Sequence, residues 1–321
     1  MERTRMSKIH GFFWHFLILL VAWGIFEGKE IYSFSTKGAN KSTFGLSWLK
    51  IGVGAKAAGM GNTGVTSVRD ATAIYWNPAG LTRASGTGVV FSYNSWFQGV
   101  SNSYLGFSFP GERNFLGFSF YLSDVGEIER RGEAPTIEPL GKFSAHYLAA
   151  FISLARRFEN SLSLGATLKY LYEKIYIHSA SGFGLDFGVI YPLPAWGATF
   201  GAVLQNLGGM GKLKDKSSRI PAVFKLGVGK EVSNLHWNGI SIEFSADFGK
   251  YIGSYSFLRL GAELRGGPHI NLRGGYELGE GSGRFGTGLG IKFKIYRFDY
   301  SYSPFEIGLG ESHRVSIGIE F

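Results

Sequence analysis

The chain ends in His313-Arg314-Val315-Ser316-Ile317-Gly318-Ile319-Glu320-Phe321, and the reading of this stretch decides the fold. Val315, Ile317, Ile319 and Phe321 alternate with Arg314, Ser316, Gly318 and Glu320. Successive side chains of a strand point to opposite faces, so the segment has one apolar and one polar side. The same period of two recurs upstream. Tyr296, Phe298, Tyr300 and Tyr302 alternate with Arg297, Asp299, Ser301 and Ser303. Ile270, Leu272 and Tyr276 alternate with Asn271, Arg273 and Glu277. Leu258, Leu260, Ala262 and Leu264 alternate with Arg259, Gly261, Glu263 and Arg265, and Ile240, Ile242, Phe244 and Phe248 with Ser241, Glu243, Ser245 and Asp247.

A soluble β-sandwich produces the same alternation with its apolar face inward. Three features favour a membrane barrel. The strands are many and long, with no break that marks a second domain. Lone charges occupy the polar positions of every late strand, as a polar lumen requires. Aromatics cluster near strand ends, at Trp96, Phe97, Tyr191, Trp196, Trp237, Tyr251 and Tyr255, where membrane barrels carry girdles. The pattern predicts fourteen strands, at about 88–97, 102–110, 114–129, 142–158, 161–178, 181–192, 197–208, 220–232, 238–250, 256–265, 269–278, 284–294, 295–303 and 313–321. An even count puts both barrel ends on one side, the periplasmic one in bacterial barrels. The parity then assigns 130–141, 208–219 and 303–312 to the outside and the short turns at 110–114, 158–161, 192–196, 233–238 and 266–268 to the periplasm. A last strand ending in Phe321 with Val315, Ile317 and Ile319 upstream has the form of a barrel-assembly signal read by the assembly machinery.

Composition agrees. The 321 residues include 48 glycines and no cysteine, which excludes a disulfide scaffold and thiolate metal sites. Mean hydropathy is +0.04, too low for a helical membrane protein. In a barrel, lipid-facing and lumen-facing residues cancel in such an average. The net charge of +9 is scattered rather than gathered on one face, which argues against nucleic acid as a partner. Arg3, Arg5 and Lys8 precede the apolar run Phe12–Val21 and the small residues of Ala22-Trp23-Gly24, the pattern of a secretory signal. The expected plan is a signal peptide at 1–24, a lead at 25–44, a distinct segment at 45–86 and a transmembrane barrel at 87–321.

The segment 45–86 lacks strand alternation and is rich in Ala and Gly. It predicts an irregular lead, a short helix from about Asp70 to Trp76 with Asp70 or Ser67 near its start, and a break at Asn77-Pro78. Two blocks stand out within it: Leu49-Lys-Ile-Gly-Val-Gly-Ala-Lys-Ala-Ala-Gly-Met-Gly61 and Asp70-Ala-Thr-Ala-Ile-Tyr-Trp-Asn-Pro-Ala-Gly-Leu81. With Tyr172-Glu-Lys-Ile175, Leu204-Gln-Asn-Leu-Gly208, Tyr300-Ser-Tyr-Ser-Pro-Phe305 and His313-Arg-Val-Ser316, they resemble the PorV/PorQ family of FadL-like outer-membrane barrels. The resemblance implies an all-β fold, a fourteen-stranded antiparallel transmembrane β-barrel whose N-terminal segment fills the lumen as a plug, or hatch. It implies a hatch motif at Asp70, Trp76, Asn77, Pro78, Ala79 and Gly80. A plug also has a physical basis, since such a barrel is wider than the roughly eight-stranded case that side chains alone can fill.

Other signals are weaker. Gly52-Val-Gly54-Ala-Lys-Ala57 matches a dinucleotide fingerprint but lacks the surrounding βαβ unit. The histidines show no His-Glu-x-x-His spacing, and no nucleophile elbow is present. No catalytic residue, cofactor or metal ligand is predicted, and no ligand-binding residue can be named. Lumen charges such as Glu243, Asp247, Arg259, Glu263, Arg265, Arg273, Asp299 and Arg314 are expected to pair with each other or with the plug, because unpaired buried charge is costly. The resemblance implies a type IX-like role in protein secretion or surface delivery. The expected partners are outer-membrane lipid, the barrel-assembly machinery and secreted cargo or secretion-system components. The alternatives are a FadL-like channel for hydrophobic small molecules such as long-chain fatty acids, and a structural barrel with no ligand. A continuous apolar pocket beside the plug would favour the channel; a charged, packed lumen would favour a scaffold or shuttle.

Overall fold

The computed structural model describes residues 45–132, 137–233, 239–279, 282–305 and 310–321. The expected signal segment and lead, with Trp237, lie outside the described residues. Fourteen antiparallel strands close into one barrel. They are β1 (Gly88–Ser95), β2 (Val100–Phe109), β3 (Asn114–Arg130), β4 (Gly141–Arg157), β5 (Ser163–Ile175), β6 (His178–Leu193), β7 (Ala198–Met210), β8 (Val223–Ser233), β9 (Ile240–Tyr251), β10 (Ser256–Gly266), β11 (Ile270–Gly279), β12 (Ser282–Phe293), β13 (Tyr296–Pro304) and β14 (Glu311–Glu320). Each strand pairs with its sequence neighbour, and β1 pairs with β14 to close the ring, from Gly88↔Glu320 to Ser95↔His313. Gly88 and Glu320 therefore share one rim, the periplasmic one.

Burial is inverted relative to a soluble protein. On β1, Phe91 and Tyr93 are 43% and 44% exposed, while Ser92 and Asn94 between them are 3% and 2% exposed. The apolar side of the alternation faces outward, toward lipid, and the sandwich alternative is excluded. Tyr191 and Trp196 lie exposed near the periplasmic rim, as girdle residues do. Tyr251 and Tyr255 correct that expectation. They pack with Phe257, and the Lys50 ammonium sits 5.2 and 5.1 Å from their ring centroids. They seal the plug at the outer rim instead of anchoring lipid.

The chain from residue 45 runs through the lumen from the outer to the periplasmic end. Gly45 lies against Ser218 in the outer β7–β8 connection. The helix α1 (Ala55–Gly59) packs against β12, β13 and β14. A second helix, α2 (Ala73–Trp76), is followed by a 3-10 turn, Pro78–Arg83, that packs on β3 to β6. Ser85 then bonds Glu320 at the periplasmic rim, 2.6 Å between oxygens. Helices this short do not persist alone in water, so the barrel holds them. The expected helix from Asp70 begins later, at Ala73, while α1 and the 3-10 turn were not anticipated. Pro78 explains the junction: it disfavours helical geometry in the residue before it, and Asn77 sits at φ −161°, ψ 107°. Asn77 ends one helix and caps the next turn, its side-chain oxygen accepting from Ala79 N at 3.2 Å.

Candidate functional site

The plug and the lumen wall divide into two unlike halves. Against β2 to β7 the plug packs by apolar contact. Trp48, Leu49, Val53, Ile74, Tyr75 and Trp76 form one cluster with wall residues Tyr104, Phe115, Tyr121, Phe151, Leu171 and Met210. Its hydrogen bonds run largely from side chains to backbone. Tyr104 and Tyr121 donate from the wall to Ala71 O and Ile51 O, both at 2.8 Å. Tyr75 OH donates to Leu49 O at 2.9 Å, and Trp76 Nε1 to Val53 O at 2.9 Å. This half holds one buried ion pair, Lys169–Asp186 at 2.7 Å. It also holds Glu173, which is 1% exposed and whose two carboxylate oxygens have no hydrogen-bond partner among the described residues.

Against β8 to β14 the plug is held by charge. A chain of ion pairs runs through the periplasmic half of the lumen. Glu231 meets Arg69 at 3.3 Å and Arg265 at 2.8 Å. Glu243 contacts Arg69, Arg265 and Lys56. Glu263 contacts Lys56 at 3.3 Å, Arg265 at 2.8 Å and also Arg273. Arg273 continues to Asp299 at 2.7 Å, Asp299 to Arg297 at 2.9 Å, and Arg297 to Asp70. Lys56, Arg69 and Asp70 belong to the plug, so the chain fastens the plug to five strands. Higher in the lumen, Asp247 accepts from Gly64 N at 2.7 Å and Val65 N at 3.0 Å, and Glu277 accepts from Asn62 and from Arg259. All eight named lumen charges thus engage an opposite charge or the plug backbone. Arg314 has no carboxylate within 4 Å among the described residues and donates to Gly54 O at 3.4 Å.

The hatch-motif residues occupy the boundary between these halves. Asp70 does not cap α2; its carboxylate accepts from Thr72 N at 2.8 Å and from Arg297. Burial alone would raise the Asp70 carboxyl, but the Arg297 charge and the Thr72 hydrogen bonds outweigh it and hold it below its usual range. Trp76 stacks near Lys225, 5.3 Å from ammonium to ring centroid, and near Arg259 at 5.9 Å. Asn77 Nδ2 donates to Val65 O at 3.0 Å and Val189 O at 3.2 Å, joining plug to wall. Pro78, Ala79 and Gly80 are buried against β5 and β6. A Cβ on Gly188 would overlap the Asn77 amide oxygen, and one on Gly165 the Pro78-Ala79 backbone. The missing side chains in the wall are what admit the Asn77-Pro78 turn. Sequence reasoning looked for small residues in the plug and missed their partners in the wall, whose only signal is Gly at lumen-facing strand positions.

The described lumen is therefore filled. Trp76, Tyr104, Tyr121 and Phe151 are each 1% exposed. A cavity of about 50 Å³ beside Asp70 and Arg297 is small against the 300 Å³ and more of a typical ligand pocket. Among the described residues no group of three or more His, Asp or Glu stands ready for a metal ion.

A family model described as type IX secretion system protein PorV matches residues 34–191, through the plug and most of β6. Among solved structures, the chain is similar to the Ralstonia pickettii toluene transporter TbuX at 14% identity, covering 84% of this chain and 98% of that one, with a TM-score of 0.59. It is similar to the Pseudomonas putida toluene transporter TodX at 12% identity, 84% and 99% coverage and a TM-score of 0.61. A Pseudomonas aeruginosa FadL homologue aligns at 12% identity, 84% and 98% coverage and a TM-score of 0.55. At these identities the structures speak to the fold alone. No curated protein matches the chain by sequence. The lipid-facing apolar surface, the closed fourteen-stranded ring and the matched plug blocks converge: the chain is a bacterial outer-membrane β-barrel of FadL-like fold, plugged from within, and is similar to the PorV family over residues 34–191.

Proposed function

We propose that this barrel is a non-enzymatic component of protein secretion to the cell surface, of type IX kind, which holds or delivers exported cargo at its outer end. The observation that carries the reading is the packed lumen, bonded from wall to plug on both sides. A conduit for solutes needs a route past its plug. Here the apolar half is occupied by aromatic side chains, and the other half is tied by ion pairs to Lys56, Arg69 and Asp70. The working surfaces are then the rims and the outer wall. On this reading Asp70, Trp76 and Asn77 to Gly80 seat the plug and bind no ligand, and Val315, Ile317, Ile319 and Phe321 serve barrel assembly. The partners are exported proteins and other parts of the secretion machinery. Deleting the gene in its native host and profiling surface and secreted proteins tests the proposal. Loss of a set of surface proteins is expected, and unchanged export would overturn it.

A second reading, passage of hydrophobic small molecules, draws on the apolar half. Trp48, Tyr121 and Tyr147 stack there, with Trp48 centroids 5.0 and 5.8 Å from the two tyrosines, and would line a path if the plug moved. Normal cargo export with lost uptake of long-chain lipids in the same deletion strain would favour it.

A further inference from the structure

On the lipid-facing side of β4, Ile152 and Leu154 are 50% and 62% exposed, and the next residue of that face is Arg156. Leu154 stands opposite Leu116, and Arg156 opposite Asn114 and Leu164. Arg156 thus closes an apolar ladder at the periplasmic rim, where the inner leaflet changes from acyl chain to headgroup. Two more arginines line the same rim, Arg157 from the opposite face of the strand, where it lies over Phe115. Arg113, from the β2–β3 turn, accepts a hydrogen bond at its carbonyl from Arg157 N at 2.9 Å. Together Arg113, Arg156, Arg157, Phe158 and Glu159 line an open groove of about 340 Å³. The Arg156 guanidinium lies 5.6 Å from the Phe158 ring centroid and that of Arg157 5.4 Å from Phe115. Only Arg113 has an acid partner here, Glu159 at 3.2 Å, and that carboxylate is 83% exposed. Stacking on the two rings leaves the guanidinium edges of Arg156 and Arg157 free of carboxylates among the described residues.

We propose that this groove binds the phosphate of an inner-leaflet phospholipid, with its acyl chains lying on Leu116, Leu154 and Leu164. A guanidinium fork matches a phosphate in two parallel hydrogen bonds, so Arg156 and Arg113 suit that group better than lysines would. The apolar ladder directly above selects a lipid over a free anion. Arg113 and Arg156 lie at the rim of the outer wall and serve no step of plug seating, so the proposal is independent of the secretion reading.

The test uses the full-length barrel, purified in detergent and offered dioleoyl phosphatidylglycerol, phosphatidylcholine, dioleoylglycerol or inorganic phosphate, with retained ligand read by native mass spectrometry. Both phospholipids should be retained, and dioleoylglycerol should not. The double variant Arg113→Gln/Arg156→Gln should lose retention about tenfold, on the order expected for removing charge-assisted hydrogen bonds. Lys292→Gln/Lys294→Gln, a loss of charge elsewhere on the same rim, should leave it unchanged. Heat-dependent gel migration reports folding; if the double variant does not fold, the single rim variant Arg156→Gln replaces it with a smaller loss expected. Equal retention by variant and wild type, equal retention of dioleoylglycerol, or displacement of lipid by equimolar inorganic phosphate would overturn the proposal.

Discussion

The lumen wall from β2 to β7 and the wall from β8 to β14 hold the same plug by different physics. The first presents Tyr104, Tyr121, Phe151 and Leu171 and grips by packing and by bonds to backbone carbonyls. The second presents Glu243, Asp247, Glu263, Arg273 and Asp299 and grips by charge. Apolar packing is non-directional and tolerates sliding, whereas a chain of ion pairs fixes register. The difference teaches how one segment can be filled against and positioned at once: the apolar side excludes water, and the ionic side sets where the plug stops.

Breaking the ionic half should have the largest effect. Glu263 serves Lys56, Arg265 and Arg273 together, so Glu263→Ala leaves buried cations short of an acid. A loss of about 3–5 kcal/mol is expected, read as a lower denaturant midpoint for the barrel in detergent. An unchanged midpoint would mean that water already solvates this half. Next comes the apolar half. Gly188→Val places side-chain atoms where Asn77 sits, and overpacking of this kind costs about 1–3 kcal/mol. Conductance steps should appear in planar bilayers where the parent barrel is quiet, and silence in the variant would show that the turn relocates freely. Between the halves, Trp76→Phe removes the donor to Val53 O and part of the indole that Gly52 and Gly64 pack against, for about 1–2 kcal/mol. A midpoint shift as large as that of Glu263→Ala would refute the division of the lumen into a packed and an ionic half.

The smallest expected effect is acid dependence. The Asp70 carboxyl is lowered in the folded protein, so its contribution is complete above the ordinary value of 3.8 and is lost as pH falls through the lowered value. Stability of the parent should therefore decline in acid more steeply than that of Asp70→Asn. Parallel pH profiles for the two proteins would remove Asp70 from the chain of ion pairs that holds the plug.

Much of the wall was legible beforehand. The expected strand at 114–129 is β3 at Asn114–Arg130, and that at 256–265 is β10 at Ser256–Gly266. Strand alternation is local, and lipid on one side with protein on the other imposes it residue by residue. The plug was less legible. Ala55–Gly59 is helical only because β12 to β14 enclose it, and Ala-Gly sequence carries no period that announces this. Tyr251 and Tyr255 looked like girdle residues because they lie at a strand end, yet their rings turn inward to Lys50, which is 201 and 205 positions away in the chain and invisible to any local reading.

The sequence by itself determined that this chain spans a membrane as strands, how many there are, and which face of each meets lipid. Those follow from a period of two and from the parity of the strand count. Only the tertiary structure decided which charges meet and how the plug is seated: Asp247 accepts from Gly64 across 183 residues, and Arg297 reaches Asp70 across 227. Such pairings depend on where closure of the ring places each strand around the plug, and on Gly188 and Gly165 yielding space at the point of contact. Alternation along one strand carries no information about which residue faces it across the lumen.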